Sequence, residues 1–516
     1  MKIRLILPKA TSREGTLSDF SFMLKLLTPK TSAGSRSTMA FMPLALPTLA
    51  ALTPGDVEIR IEDENLGPIT FDEPVDVVGI TFVSFMAPRA YQIADAFRER
   101  GVHVALGGVH ATLMPEEAAI HADSVFIGEA EETWPQFIED FRSGRPQPVY
   151  RCTIRTDLQR LVLPRWDLVA NRYYLTQLVQ TTRGCSNACD FCMIRSLFGP
   201  PRTKPVQNVI AEILQITKLK RVPGPLKLMF ADDNIVADGS YARQLFEALI
   251  PLRLRWSSQA SLSLAEDEEL LDLAVRSGCD TLLLGFESIA QQNLDAINKG
   301  RVNRVDRFRE AIARIHARGI NVYAYFIFGF EQDTPEIFQR TLDFVRETAI
   351  EFPLYNILTP APGTRLWDHM QADGRLLPFR LEEMNGYCVS YKPARMTAQE
   401  LLDGFRWSIA QSYSAEAIFE RLEKAYACGA AKTRDQGTLT RAAVGLILLN
   451  ALLRQPKPMR ACMRRALKAL WIWPDLKVNA LLMFLDRFEF AQNLLRAHPE
   501  IAHYQGGSNR AQARTP

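Results

Sequence analysis

Apolar runs of strand length alternate with amphipathic helical periods along most of this chain. Within residues 1–142, five runs have the length and composition of strands: 2–8, 57–65, 75–84, 102–108 and 123–130. Between the later runs, residues 88–100 and 131–144 place apolar side chains at helical spacing. Because apolar strands separated by amphipathic helices are typical of parallel sheets, residues 1–142 predict an α/β, doubly wound Rossmann-like domain of about five strands.

Two stretches interrupt this alternation. Residues 9–38 fit neither the strand period nor the helix period, and they predict a long loop after the first strand. Residues 143–177 carry proline breaks and little periodicity, so we predict a linker between domains there.

From residue 178 the alternation of strands and helices resumes at a steady spacing. Six strand candidates follow one another: 177–183, 226–233, 254–261, 281–288, 321–330 and 354–364. Amphipathic stretches such as 205–218 and 304–319 lie between them. Six such units predict a (β/α)6 partial barrel over 178–380, with ligand groups on the loops at the carboxyl ends of its strands.

The C-terminal part changes character, and residues 381–505 predict a mostly helical region followed by a disordered tail at 506–516. Residues 436–474 contain no acidic residue. The basic residues of this stretch are Arg441, Arg454, Lys457, Arg460, Arg464, Arg465 and Lys468. Two interpretations remain open: an ordinary solvated helix surface, or a helix in peripheral contact with a membrane or an amphiphilic substrate.

Composition narrows the class of protein. The chain of 516 residues has 47% apolar and 23% charged residues, as expected of a globular protein with more than one domain. A net charge of +3 gives no sign of a nucleic-acid partner. The N-terminal apolar run is too short for a signal peptide, and no transmembrane run is present, so we expect a cytoplasmic protein, with peripheral membrane association as the variant.

Three cysteines lie within eight residues, in the segment TTRGCSNACDFCMIR at 181–195. Cys185, Cys189 and Cys192 have the spacing CxxxCxxC, with no fourth cysteine or histidine nearby to close a structural zinc site. A cubane iron–sulfur cluster held by three thiolates leaves one iron open to a small-molecule ligand. The missing fourth ligand therefore predicts a cluster that does chemistry on a bound molecule.

This spacing, with Phe191 before the last cysteine, resembles the signature of the radical S-adenosylmethionine (SAM) superfamily. The resemblance implies that Cys185, Cys189 and Cys192 hold a 4Fe-4S cluster and that SAM chelates the open iron. It further implies reductive cleavage of SAM to a 5′-deoxyadenosyl radical, with an external one-electron reductant of flavodoxin or ferredoxin type.

Four further stretches resemble SAM-binding segments of the same family. FADDN offers Asp232 and Asp233 near the amino group of SAM, although the common Gly-Gly-Glu version is absent, and both could instead cap the next helix. WSSQAS offers Gln259 as a polar contact, and LLLGFES offers Glu287 for the ribose hydroxyls, although Glu287 could instead be an ordinary loop carboxylate. YFIFGFEQDT resembles the segment that passes the adenine, where Gly329 would allow a close approach of backbone.

The N-terminal domain resembles that of the cobalamin-binding branch of the superfamily. The resemblance is carried by the stretches 42–52, 63–69, 75–84, 106–118 and 122–135. It implies a corrin at the carboxyl edge of the sheet, beside Gly107, Gly108, His110, Gly128 and Glu129. The DxHxxG motif that supplies a lower axial histidine in cobalamin mutases is absent, so a domain that keeps the fold without the cofactor remains the alternative.

The leading hypothesis is a radical SAM enzyme that uses cobalamin to methylate an unactivated carbon of a hydrophobic, lipid-like or natural-product small molecule. A second hypothesis is a radical SAM enzyme with another outcome, such as cyclisation or oxidation, and an N-terminal domain without cobalamin. A third is a metal-stabilised binding protein without catalysis.

Overall fold

The computed structural model describes residues 1–9, 44–169, 174, 176–219, 227–380, 383–432, 442, 444–446, 448, 449, 452 and 456–504. The loop predicted at 9–38, apart from Lys9, and the tail predicted at 506–516 lie outside the described residues. The described chain divides into two compact units. The first contains residues 1–9, most of 44–256, and 359–380 with 383–385; the second contains 257–358 and the described residues from 386 onward.

The first unit begins with a six-stranded parallel sheet in the order β2-β1-β3-β4-β5-β6. Its strands are β1 Lys2–Leu7, β2 Glu58–Asp63, β3 Val77–Thr81, β4 His103–Gly107, β5 Ser124–Ile127 and β6 Val149–Arg151. The accompanying helices are Ala45–Leu52, Ala87–Arg98, Val109–Leu113, Pro115–Ile120 and Thr133–Arg142. The order reverses at β1, as in doubly wound folds, and the predicted fold class is confirmed.

The sixth strand is a difference from the expected count of about five. Val149–Arg151 lies within the segment predicted as a linker, yet it pairs in parallel with β5. Tyr150 stacks on Phe126 with ring centroids 5.1 Å apart, and its hydroxyl donates to Asp140 at 2.9 Å. Three residues are too few to show a strand period, and only the neighbouring strand gives this segment its conformation.

Apolar side chains pack between this sheet and its helices. Ile80, Val104 and Leu106 point from β3 and β4 into a core completed by Ile93 and Phe97 of the helix Ala87–Arg98. All five side chains are almost completely buried. Burial of each such side chain stabilises the fold by roughly 1.5–3 kcal/mol, so the sheet edge that carries the candidate site has a rigid support.

The second sheet has six strands in the order β14-β13-β12-β11-β10-β7. They are β7 Gln177–Val179, β10 Lys227–Phe230, β11 Arg255–Ala260, β12 Cys279–Glu287, β13 Asn321–Phe328 and β14 Phe352–Ile357. The registers given for β7–β10, β12–β13 and β13–β14 are all parallel. Six parallel strands in sequential order agree with the predicted partial barrel.

Amphipathic helices follow the strands of the second sheet. They are Ile194–Phe198, Val206–Leu219, Gly239–Leu249, Glu268–Arg276, Gln291–Ala296, Phe308–Ala317, Glu336–Glu347 and Arg365–Ala372. The predicted helical C-terminal region contains Ala398–Ser412, Ala415–Ala427, Lys457–Ile472 and Val478–Ala497. Among the helices that the structure describes, none combines the length and apolarity needed to span a bilayer.

The strand predicted at 177–183 is divided. After Val179 the chain leaves the parallel sheet, and β8 Thr182–Arg183 forms an antiparallel pair with β9 Arg202–Thr203. This short hairpin encloses the three cysteines. The segment from Gly184 to Pro201 is therefore a loop whose two ends are hydrogen-bonded to each other.

Candidate functional site

The cysteine loop starts at a strained turn that only glycine accommodates. Gly184 has a φ of +94°, and a Cβ there would lie 2.6 Å from the carbonyl oxygens of Gly199 and Pro200. The amide of Cys185 donates to the carbonyl of Gly199 at 3.2 Å, and Arg195 donates to the carbonyl of Cys185 at 3.1 Å. The two ends of the loop are thus held together close to the first cysteine.

A second set of contacts holds the middle of the loop. Arg365 forms an ion pair with Asp190 at 2.8 Å and donates to the carbonyl of Ala188 at 2.6 Å. The amide of Leu366 donates to the carbonyl of Asp190 at 3.0 Å. The first turn of the helix Arg365–Ala372 therefore fixes the backbone on both sides of the second cysteine, Cys189.

The donor set fits an iron–sulfur cluster with an open iron. Cys185, Cys189 and Cys192 are all partly exposed, and thiolates are the protein ligands that such clusters take. Within the described residues, no three His, Cys, Asp or Glu side chains are already gathered closely enough to hold a metal ion. The fit therefore rests on donor chemistry and on the anchored backbone of the loop.

Asp232 and Asp233 face the strand that leads into this loop. Asp232 is fully buried; its Oδ1 accepts from the amides of Thr181 at 2.7 Å and Thr182 at 2.9 Å, and its Oδ2 accepts from the Thr181 hydroxyl. Asp233 accepts from the amide of Gly184 at 2.8 Å. Burial raises the pKa of Asp232 to about 6 despite the three hydrogen bonds. In this structure both carboxylates position the start of the cysteine loop.

Glu129 is the centre of a buried charge cluster. Its Oε1 accepts from Arg183 at 2.9 Å and Arg202 at 2.6 Å, and its Oε2 accepts from Arg202 at 3.0 Å and the amide of Thr156 at 2.8 Å. Arg183 also pairs with Glu131 at 2.8 Å. Burial alone would raise the pKa of Glu129, but the ion pairs with Arg202 and Arg183 lower that pKa to about 2. Glu129 therefore stays ionised and ties both strands of the β8–β9 hairpin to the turn after β5.

A cavity of about 390 Å³ opens at the carboxyl edge of the first sheet. Most of its lining is apolar, from Leu46, Ile80, Phe82, Phe126, Leu197 and Phe198, with Gly107, Gly108, Gly128, Glu129 and Arg183 at its polar part. Its volume is within the usual range of ligand sites. The lining thus combines glycine turns of the N-terminal domain with Arg183, Leu197 and Phe198, which lie beside and within the cysteine loop.

Four of the five residues predicted for a corrin line this cavity: Gly107, Gly108, Gly128 and Glu129. Gly108 and Gly128 have φ values of +97° and +88°, which favour glycine. His110 is not among the lining residues; it is fully buried and hydrogen-bonded to Ser84 at 3.0 Å and to Tyr91 at 3.2 Å. Burial lowers the pKa of His110, so the ring is neutral near pH 7. Its role in cofactor binding stays a prediction.

Glu287 ends strand β12 of the second unit in an unusual conformation. Its φ is +65°, which is uncommon for a residue with a side chain, and the pairing of β12 with β13 is irregular between Gly285 and Glu287. Asn303 donates to the carbonyls of Gly285 at 2.7 Å and Phe286 at 3.1 Å and so supports the bend. The carboxylate is nearly buried and forms an ion pair with Lys299 at 2.5 Å. Such strain is typical of functional positions.

Gly329 follows strand β13 with a φ of +102°. Tyr391 donates its hydroxyl hydrogen to the carbonyl of Gly329 at 2.5 Å. Asp333 accepts from the amides of Gly329 at 2.9 Å and Phe330 at 3.0 Å, and from the side chain of Asn293 at 2.7 Å. Burial raises the pKa of Asp333 to about 6. Tyr391 and Asp333 therefore fix the backbone of the turn after β13, and Asn293 holds Asp333 in place.

The remaining predicted residues are Phe191 and Gln259. Phe191 is partly buried in the cysteine loop, and Gln259 is exposed on β11. Within the first unit, Asp232, Asp233 and Glu129 contact residues 181–184, which lead into the cysteine loop; Glu287 and Gly329 lie in the second unit.

Sequence reasoning missed Arg183, Arg202 and Asp333. Arg183 directly precedes the turn at Gly184, and this adjacency to the cysteines was the available signal. Arg202 meets Glu129 across 73 positions in sequence, and no local pattern indicates that contact.

Two family models match the parts of the chain that contain the cysteine loop and the glycine-lined cavity. The model of the radical SAM superfamily matches residues 179–345, and that of the B12 binding domain matches residues 43–138. A domain of unknown function matches residues 364–471.

Curated relatives extend this likeness over most of the chain. The bacteriochlorophyllide d C-12(1)-methyltransferase of Chlorobaculum tepidum is 30% identical over 408 residues, which is 77% of this chain and 89% of that protein. The hopanoid C-2 methylase of Rhodopseudomonas palustris is 27% identical over 399 residues, covering 74% of this chain and 73% of that protein.

Two solved structures share the fold. The cobalamin-dependent SAM radical enzyme OxsB, with aqua-cobalamin and SAM bound, aligns with a TM-score of 0.60 at 13% identity over 98% of this chain and 81% of its own. The methyltransferase TsrM of Kitasatospora setae, with cobalamin and a [4Fe-4S] cluster bound, aligns with a TM-score of 0.59 at 14% identity over 96% of this chain and 99% of its own.

A radical SAM core preceded by a B12 binding domain defines a class of enzyme. This chain belongs to the radical SAM superfamily, in its cobalamin-dependent branch. Membership favours the enzymatic hypothesis over the non-catalytic binding protein.

Proposed function

We propose that this protein is a methyltransferase that uses a 4Fe-4S cluster, SAM and cobalamin to methylate an unactivated carbon of a large hydrophobic substrate. One observation carries the proposal: a single compact unit contains the three-cysteine loop and the glycine-lined cavity of the B12 binding domain, and Glu129 joins them. The methyltransferase names of the relatives support the reaction type.

Each group in the proposal has a residue-level role. Cys185, Cys189 and Cys192 would hold the cluster, and Glu287 would accept hydrogen bonds from the ribose hydroxyls of SAM. The glycine turns at Gly108 and Gly128 allow backbone to approach a flat macrocycle. When bound, the cluster and SAM supply radical initiation, and cobalamin supplies the methyl group.

The protein's own part is alignment and exclusion of water. Asp232, Asp233 and Arg365 hold the cysteine loop in one place, and Glu129 fixes that loop relative to the cavity. Apolar side chains such as Phe82 and Leu197 line the cavity and limit its hydration. Fixed geometry of this kind supplies catalysis through proximity.

The substrate class is proposed from the relatives and from the chain itself. Relatives named for bacteriochlorophyllide d and for a hopanoid act on large polycyclic hydrophobic molecules. We propose a substrate of this type, with the basic helix Lys457–Ile472 bringing the enzyme to a membrane surface where such a molecule resides. A one-electron reductant of flavodoxin or ferredoxin type would complete the system.

An anaerobic assay tests the function. Protein reconstituted with iron, sulfide and hydroxocobalamin would be incubated with deuteromethyl-labelled SAM, a reductant, and either a bacteriochlorophyllide or a hopanoid. We expect 5′-deoxyadenosine together with a product heavier by one labelled methyl group. The Cys185→Ala variant should give neither. Deoxyadenosine with an altered product that carries no label would contradict methyl transfer and favour cyclisation or oxidation.

A further inference from the structure

The helix Lys457–Ile472 has two opposite faces. Its inner face is buried and consists of Met459, Met463, Ala466 and Leu470. At 100° per residue, Lys457, Arg460, Arg464 and Lys468 share the opposite face. Lys457, Arg464 and Lys468 are exposed, and Arg460 is partly exposed. A cationic stripe therefore runs along the outer face of this helix.

Two large apolar side chains lie at the C-terminal end of this cationic stripe. Trp471 is 87% exposed and Ile472 is 50% exposed. Trp471 lies on the helical face of Arg464 and Lys468. Exposed tryptophan is costly in water and is enriched where protein meets the headgroup region of a membrane, since its ring is apolar and its N–H is polar.

The charged residues of this part of the chain are basic. Residues 436–474 contain no acidic residue. Arg465 points away from the stripe, since it stacks on Phe419 at 4.6 Å and approaches Glu416 at 3.9 Å. The cations that remain on the outer face therefore present positive charge beside an apolar tip.

We infer that the outer face of the helix Lys457–Ile472 docks on the surface of a bilayer that contains anionic lipids, with Trp471 and Ile472 inserted at the headgroup level. The positive charge of the stripe favours anionic lipids. The exposed apolar side chains of Trp471 and Ile472 favour a bilayer over a free anion. Because no described helix can cross a bilayer, this contact is peripheral. The inference extends the proposed hydrophobic substrate class, since docking would place the enzyme where such substrates partition.

Vesicle flotation of the full-length protein tests this contact without any substrate. The probes are vesicles of phosphatidylglycerol and phosphatidylcholine in equal parts, and vesicles of phosphatidylcholine alone, at about 0.1 M salt, where the Debye length is about 10 Å. We expect flotation with the anionic vesicles and little with the neutral ones. Absence of flotation with both, or equal flotation with both, would overturn the inference.

Variants locate the contact. Each cation beside an anionic surface contributes about a fivefold factor in partitioning, so Arg464→Gln/Lys468→Gln should weaken binding by about 25-fold. Trp471→Ala should weaken it by about tenfold. The matched control Arg307→Gln/Arg309→Gln removes the same charge from two exposed side chains at the start of the helix Phe308–Ala317 in the second unit and should change binding much less.

The outcomes separate this inference from the proposed function. Equal loss in the control and stripe variants would show a non-specific charge effect and overturn the inference. All variants replace exposed side chains, so unchanged melting midpoints should accompany the binding changes. Methyl transfer is measured in detergent, where vesicle docking has no part. Absence of methyl transfer under these conditions would contradict the proposed function and would not bear on the docking inference.

Discussion

The carboxylate of Glu129 accepts two hydrogen bonds from the guanidinium of Arg202, at 2.6 and 3.0 Å, in a buried site between the turn after β5 and the β8–β9 hairpin. This pair ties the sheet edge of the B12 binding domain to the base of the cysteine loop. We therefore expect that loss of this pair lowers both the stability of the protein and the amount of cluster that it retains.

Glu129→Gln removes the charge partner of Arg202 and Arg183, both of which are mostly buried, and removal of one member of a buried pair costs about 3–5 kcal/mol. We expect the free energy of unfolding to fall by that order and the iron content after reconstitution to fall with it. Urea titration and iron analysis measure the two effects. Glu132→Gln, an exposed neighbour, is the matched control and should change neither.

The stability from Glu129 should depend on pH. The native pKa is about 2 and the ordinary value is 4.5, so the ionised group stabilises the fold by about 3 kcal/mol above pH 5. This contribution is lost as the pH falls from about 4.5 towards 2. The difference in unfolding free energy between the wild type and Glu129→Gln should therefore shrink in acid. A constant difference from pH 7 to pH 3 would contradict the ion-pair explanation.

Asp232 should behave in the opposite sense. Burial raises its pKa to about 6, so ionisation lowers stability by about 3 kcal/mol at pH 7, and stability is regained as the pH falls from 6 towards 4. Asp232→Asn should keep the amide bonds from Thr181 and Thr182 and remove this pH dependence. Asp232→Ala leaves three donors without an acceptor and should lower both stability and cluster content. Equal iron content in the Ala and Asn variants would argue against a positioning role.

Glu287→Gln should weaken SAM binding by about tenfold or more, because bonds from two hydroxyls to a carboxylate are charge-assisted. Equilibrium dialysis of the anaerobically reconstituted protein measures the affinity. Gly285→Ala should have a similar effect, since its Cβ would lie 2.2 Å from the Glu287 carboxylate. The exposed Glu310→Gln is the control in the same unit. Unchanged affinity in Glu287→Gln would remove this residue from the SAM site.

Gly329→Ala should destabilise the second unit. A Cβ there would lie 2.8 Å from Leu401 and closer still to the hydroxyl of Tyr391, and the φ of +102° is unfavourable for alanine. We expect a loss of about 2–4 kcal/mol in the free energy of unfolding. Gly239→Ala has open space around its Cβ and should change stability by less than about 1 kcal/mol. Equal melting midpoints of the two variants would refute the steric explanation.

Local sequence patterns were sufficient to predict the architecture. The apolar runs correspond to strands in both sheets, because inner strands such as β1 and β3 are buried over most of their length and consist almost entirely of apolar residues. The spacing of Cys185, Cys189 and Cys192 was sufficient to predict the radical SAM superfamily, because that signature is defined by residue type and interval. The edge strand at Val149–Arg151 was missed, because its conformation comes from a neighbour and not from its own residues.

Roles within the site were decided by tertiary contacts. Asp232 and Asp233 were expected beside SAM, and the structure shows them bonded to the backbone of Thr181, Thr182 and Gly184. Glu129 was expected beside a corrin, and its oxygens are engaged by Arg183, Arg202 and an amide. The sequence near a carboxylate does not indicate its partner when that partner lies 27 to 73 positions away, as these partners do.

The sequence by itself determined two parallel sheets and membership of the radical SAM superfamily, because periodicity and motif spacing are properties of residues that lie close together in the chain; the three cysteines as cluster ligands stay a prediction. Only the tertiary structure decided which charges pair, where the chain bends at Glu287, and which face of the helix Lys457–Ile472 remains open. Those features depend on burial, and burial is settled when distant segments pack together.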